Sequence, residues 1–135
     1  MNNIALFRSA ALGSLALGFA GALVDFLPRM VPETVVSAIE ATLLPGQLFP
    51  VAVAGIVLGL VGLVATIGLV LFEPWSRPLA LVSTVAGVVL YPTMPPMVQS
   101  GWASMFFYLS ALTWGASLVM AYYAPLISER FARDS

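Results

Sequence analysis

The side chains able to do chemistry are few and scattered. Asp25 is an acid inside an apolar stretch, with Arg29 four positions on, the spacing of an ion pair along one helix face. Glu33 and Glu40 follow in a short polar segment, Glu73 and Arg77 bracket a tight Pro-Trp-Ser turn, and Met94, Met97 and Gln99 stand in a proline-rich stretch. An acid at membrane depth is costly to keep, so Asp25 is the candidate for binding a proton or cation. Its closeness to Pro28 puts it near an interface, where pairing with Arg29 accounts for it as structure. Met94 and Met97 offer two thioethers to a soft ion such as Cu(I), a poor site without stronger ligands beside them.

Those stronger ligands do not exist here. The chain has no Cys and no His, which removes disulfide exchange, thiolate nucleophiles, Cys or His zinc sites, iron–sulfur clusters, histidine-ligated haem and any Ser-His-Asp triad. Hydroxyl side chains without a base are inert as nucleophiles. The expectation is therefore no catalytic residue, no metal and no cofactor. A net charge of −1 without a basic cluster gives no basis for nucleic-acid binding or for docking on anionic headgroups.

The elements that must position these residues belong to a membrane. From Pro78 to Ser128 there is no Asp, Glu, Lys, Arg or His, and 61% of the chain is hydrophobic against 8% charged. A soluble domain keeps about a quarter of its residues charged. In a bilayer each charge costs about 2.5–3.5 kcal/mol at the centre of a helix, so a chain meant for lipid sheds them. Hydropathy divides the 135 residues, read as one domain, into four spans over 4–27, 49–72, 78–94 and 101–124. The fold class expected is all-α: a polytopic transmembrane four-helix bundle, with a short amphipathic interfacial helix over 32–44 between spans one and two.

That short helix has Pro32 and Glu33 in its first turn, Val35, Val36, Ile39 and Leu43 on one face, and Pro45-Gly46 as its stop. It is expected to cap the bundle. The third span is short; Pro78 suits its first turn, and Pro92 predicts a kink at its far end. Ser100 is placed to cap the fourth span, and Glu73 to pair with Arg77 across the turn while Trp75 anchors at the headgroups. Trp75, Tyr91, Trp102, Tyr122 and Tyr123 fall near span ends as an aromatic belt.

Arg8, Arg77, Arg130 and Arg133 lie on one side of this arrangement and Arg29 on the other, which puts both termini in the cytoplasm. The first span also has the look of a signal peptide, with small residues after an apolar core, but is expected to be retained. Lipid supplies no hydrophobic drive for helix association, so small residues must let helices approach closely. Ala10, Ser14, Gly18 and Ala22 line one face of span one; Gly55, Gly59, Gly62 and Thr66 line span two. The expectation is that these two faces meet.

Pro74-Trp75-Ser76-Arg77, a short third span, a Pro- and Ser/Gly-containing outer loop, and Ala121-Tyr122-Tyr123-Ala124-Pro125 with Phe131 shortly after together resemble a loose set of small, uncharacterised four-span bacterial inner-membrane proteins. The resemblance covers roughly the C-terminal half and implies topology and a bacterial inner-membrane location; it carries no activity. Three functions remain: a non-catalytic accessory or scaffold subunit of a membrane complex, or a small homo-oligomer; a minimal transporter or channel acting as a dimer; and an enzyme acting on lipid. The first is expected, with membrane lipid and a membrane-protein partner or a second copy as partners.

Overall fold

The computed structural model describes residues 3–24, 32–41, 48–93 and 98–132. Among these every regular element is helical: α1 (Asn3–Val24), α2 (Glu33–Glu40), α3 (Leu48–Leu71), α4 (Ser76–Leu90) running into a 3₁₀ turn at Tyr91–Thr93, α5 (Gly101–Tyr123), α6 (Pro125–Ser128) and a final 3₁₀ turn at Glu129–Ala132. Three helices, α1, the Ala52–Leu71 part of α3, and α5, are long and apolar enough to cross a membrane. Their outer faces carry large exposed apolar side chains such as Phe49, Ile56 and Leu112, as lipid-facing helices do.

The expected third span is shorter than the rest. α4 has 15 residues, about 22 Å at 1.5 Å per residue against a hydrocarbon thickness of about 30 Å. Its regular ladder stops where Pro92 has no N–H to donate, and the chain tightens into the 3₁₀ turn. The next helix starts as its sequence dictates: the Ser100 hydroxyl accepts from the Ala103 N–H at 3.2 Å. α2 forms over Glu33–Glu40, but Val35 and Val36 are exposed. Of the apolar face expected to cap the bundle, Val35 and Val36 are therefore not buried against it, and Leu43 lies outside the described residues.

The helix pairing also differs from expectation. The face of α1 carrying Ser14 and Gly18 packs chiefly on α5 rather than α3. Ser110 on α5 donates its hydroxyl to the Ser14 carbonyl at 2.7 Å, and a Cβ at Gly18 would lie 3.3 Å from the Ser110 Oγ. One turn further, a Cβ at Gly21 would meet Phe107, Phe106 and the Ala103 carbonyl oxygen at 3.2–3.3 Å. By contrast, Gly55, Gly59 and Gly62 on α3 have nothing within 4 Å of a Cβ position. α4 is tied to α5 by the Trp114 indole N–H, which donates to the Thr84 hydroxyl at 2.8 Å.

The α3–α4 hairpin is tight enough to demand glycine, since a Cβ at Gly68 would fall 2.6 Å from the Ser76 Cβ. α3 ends in a Schellman arrangement: the Glu73 N–H bonds to the Gly68 carbonyl at 2.9 Å and the Phe72 N–H to the Leu69 carbonyl at 3.1 Å. The left-handed position of that motif, usually glycine, is held by Phe72 at φ 64°. At the end of α5, Ala124 is pushed into an extended conformation by Pro125. α6 and the last turn therefore fold back, and Ile127 and Phe131 enter a core with Phe7, Leu69, Phe72 and Ala121.

Candidate functional site

The core sits at one end of the bundle, where α1 and α4 begin and α3 and α5 end. Three phenylalanines from three distant parts of the chain meet there. Phe7 stacks on Phe72 with centroids 5.6 Å apart, while Phe131 stands edge-on to Phe72 at 5.3 Å and to Phe7 at 6.3 Å. Arginines surround this triad. The Arg8 guanidinium carbon lies 5.3 Å from the Phe72 centroid and that of Arg130 lies 5.7 Å from it. Arg77 is 4.5 Å from the Tyr122 centroid and 5.3 Å from that of Phe131. Each such contact contributes about 0.5–2 kcal/mol depending on how well water is excluded.

Among the described residues none of these three arginines forms an ion pair. The pairing expected between Glu73 and Arg77 is absent: the chain turns through Phe72 and Glu73 and leaves Glu73 exposed. The Arg77 guanidinium lies instead over Tyr122 and Phe131, and its buried Nε–H has no acceptor. Arg8 turns toward α3, donating from Nε to the Val70 carbonyl at 3.2 Å.

Beside this cap, a groove of about 310 Å³ opens between α1, α3 and α5. Its walls include Ser14, Gly18 and Ala22 on α1 and Gly59, Gly62 and Thr66 on α3. The small residues that looked like two mating faces are thus the two banks of an apolar slot. The polar atoms along it are already spent: Ser14 donates to the Ala11 carbonyl, Thr66 to the Gly62 carbonyl and Ser110 to Ser14. Such a slot offers shape and apolar surface, with no free group for acid–base work.

Ala10 is half-buried on α1 and Gly55 is exposed, both outside the groove. Glu33 is exposed in the first turn of α2, Glu40 ends that helix, and Gln99 is exposed just before the Ser100 cap. Asp25, Arg29, Met94 and Met97 lie outside the described residues. The cap leaves only a faint trace in the sequence. Phe and Arg are neighbours at Phe7-Arg8 near the start of the first span and again at Arg130-Phe131 beyond the end of the fourth, where an arginine over an aromatic ring keeps its charge near water.

No family model, curated protein or solved structure matches this chain.

Proposed function

We propose that the protein is a non-catalytic, multi-pass protein of the bacterial inner membrane, with both termini cytoplasmic, acting as an accessory or scaffold subunit of a membrane complex or as a small homo-oligomer. The observation that carries this reading is α4. It is uncharged except for Arg77 in its first turn, and presents Val82, Val85, Val88 and Val89 outward around a Gly87 with open space at its Cβ position. A helix shorter than the hydrocarbon thickness is a mismatch that association with other helices relieves. In this reading α4 and the turn after it form the fourth crossing, completed against a neighbour. The described part of α1, α3 and α5 carries no acid, and no base beyond Arg8, which weighs against proton-coupled transport.

The test is purification of the tagged protein in mild detergent with identification of what accompanies it by mass spectrometry. Stoichiometric membrane-protein partners, or a defined oligomer that Val85→Trp and Val89→Trp disrupt, are the expected results. A monodisperse monomer from native membranes, unaffected by those substitutions, would contradict the proposal.

A further inference from the structure

We propose that the groove between α1, α3 and α5 holds one acyl chain of an anionic phospholipid whose phosphate is bound at the Arg8–Arg130 end of the cap. This stands apart from any protein partner. The groove and the cap lie in register. On α1, Arg8, Leu15, Phe19 and Ala22 are spaced by seven, four and three residues, which puts Arg8 on the same helix face as three residues lining the slot. On α3, Thr66 lines the slot, and Val70, whose carbonyl holds the Arg8 Nε–H, lies one turn further on the same face. Arg8 therefore bridges the α1–α3 seam just beyond the end of the groove.

The dimensions suit a lipid. From Arg8 to Ser14 is six residues, about 9 Å along the axis, and the slot continues from Ser14 to Ala22 for about 12 Å more. A phosphate at the arginines and a chain passing down between Gly18 and Gly62 fill those two intervals in the order in which a phospholipid presents them. Glycine at 59 and 62 keeps the α3 bank low, and neither is explained by helix contact within the chain, since both lack any neighbour within 4 Å of a Cβ.

The sequence has no basic run, but the fold gathers a basic cluster, and its charge selects an anionic headgroup: Arg8, Arg77 and Arg130 meet around one aromatic triad, and among the described residues Glu73 and Glu129 at that end are exposed and out of ion-pair reach of all three. With its Nε engaged by Val70, Arg8 makes no further hydrogen bond among the described residues, and its terminal N–H groups suit a phosphodiester, the geometry guanidinium matches best. A zwitterionic headgroup would set its ammonium against this cationic cluster. The left-handed Phe72 fits the same picture: a backbone conformation that phenylalanine rarely takes is maintained at the residue under both Arg8 and Arg130.

Native mass spectrometry of the full chain, released from detergent containing equimolar phosphatidylglycerol and phosphatidylcholine, tests this. The expected result is one retained phosphatidylglycerol, with Arg8→Gln lowering its affinity about tenfold, the size of a lost charge-assisted hydrogen bond. Gly62→Leu should abolish retention by filling the slot, while leaving the lipid-free unfolding midpoint unchanged; Gly59→Leu serves the same purpose if that variant does not fold. Equal retention of phosphatidylcholine would overturn the proposal. Loss with Arg8→Gln but not with either groove variant would overturn the acyl-chain site. Inorganic phosphate raising the unfolding midpoint as far as phosphatidylglycerol does would make the cap a site for a soluble anion and overturn the lipid assignment.

Discussion

Phe72→Ala is expected to cost about 3–5 kcal/mol, the range for truncating a buried aromatic side chain, and Phe72→Gly to cost about 1 kcal/mol less. The ordering is unusual, because glycine ordinarily destabilises more than alanine. Phe72 is 6% exposed and lies within 5.6 Å of both Phe7 and Phe131, so either substitution empties the middle of the triad. It also removes the ring beneath Arg8 and Arg130. Glycine, however, enters the φ 64° position without strain, whereas alanine keeps the steric penalty and loses the packing. Reversible unfolding in mixed micelles measures both variants on one scale. Phe72→Gly less stable than Phe72→Ala would mean that the left-handed turn carries no strain to relieve.

Gly21→Leu should separate α1 from α5 and cost about 3 kcal/mol, at the upper end of the overpacking range. A Cβ there already meets the Ala103 carbonyl oxygen at 3.3 Å, and a backbone oxygen cannot swing aside as a side-chain tip can. Gly55→Leu is the control. With open space at its Cβ position, it should change stability by no more than about 0.5 kcal/mol, or stabilise slightly through higher helix propensity. The same micelle unfolding experiment reads both. A larger loss at Gly55 than at Gly21 would restore the pairing of spans one and two.

That pairing shows where the sequence stops being informative. Hydropathy finds α1, α3 and α5 because lipid solvation acts on every residue of a span, and Ser100 and Pro125 announce a helix start and a helix break through local chemistry alone. A stripe of small residues is weaker information: it says that something comes close, without saying what. Ser14 and Gly18 are used by α5, while Gly59 and Gly62, equally small, border empty space. The cap was hidden for a related reason. Phe7, Phe72 and Phe131 are far apart in the chain, and their meeting depends on Phe72 adopting a conformation that phenylalanine rarely takes. Spacing alone makes Arg77 the partner of Glu73, whereas the fold brings two aromatic faces closer to it. The amphipathic pattern of α2 likewise names an apolar face without naming what it lies on, and Val35 and Val36 remain exposed.

The absence of cysteine allows a direct test of the closed α1–α5 seam and the open α1–α3 groove that frames the lipid site. Paired substitutions can be oxidised in native membranes with no other thiol in the chain to compete. A disulfide needs Cβ atoms about 3.5–4.5 Å apart, and the Gly18→Cys, Ser110→Cys variant should close an intramolecular bond, because the Ser110 Oγ, one bond from its Cβ, lies 3.3 Å from the Gly18 Cβ position. The Gly18→Cys, Gly59→Cys variant, with its two sites on opposite banks of the groove, should not. Ready closure of the second pair with none of the first would contradict the account.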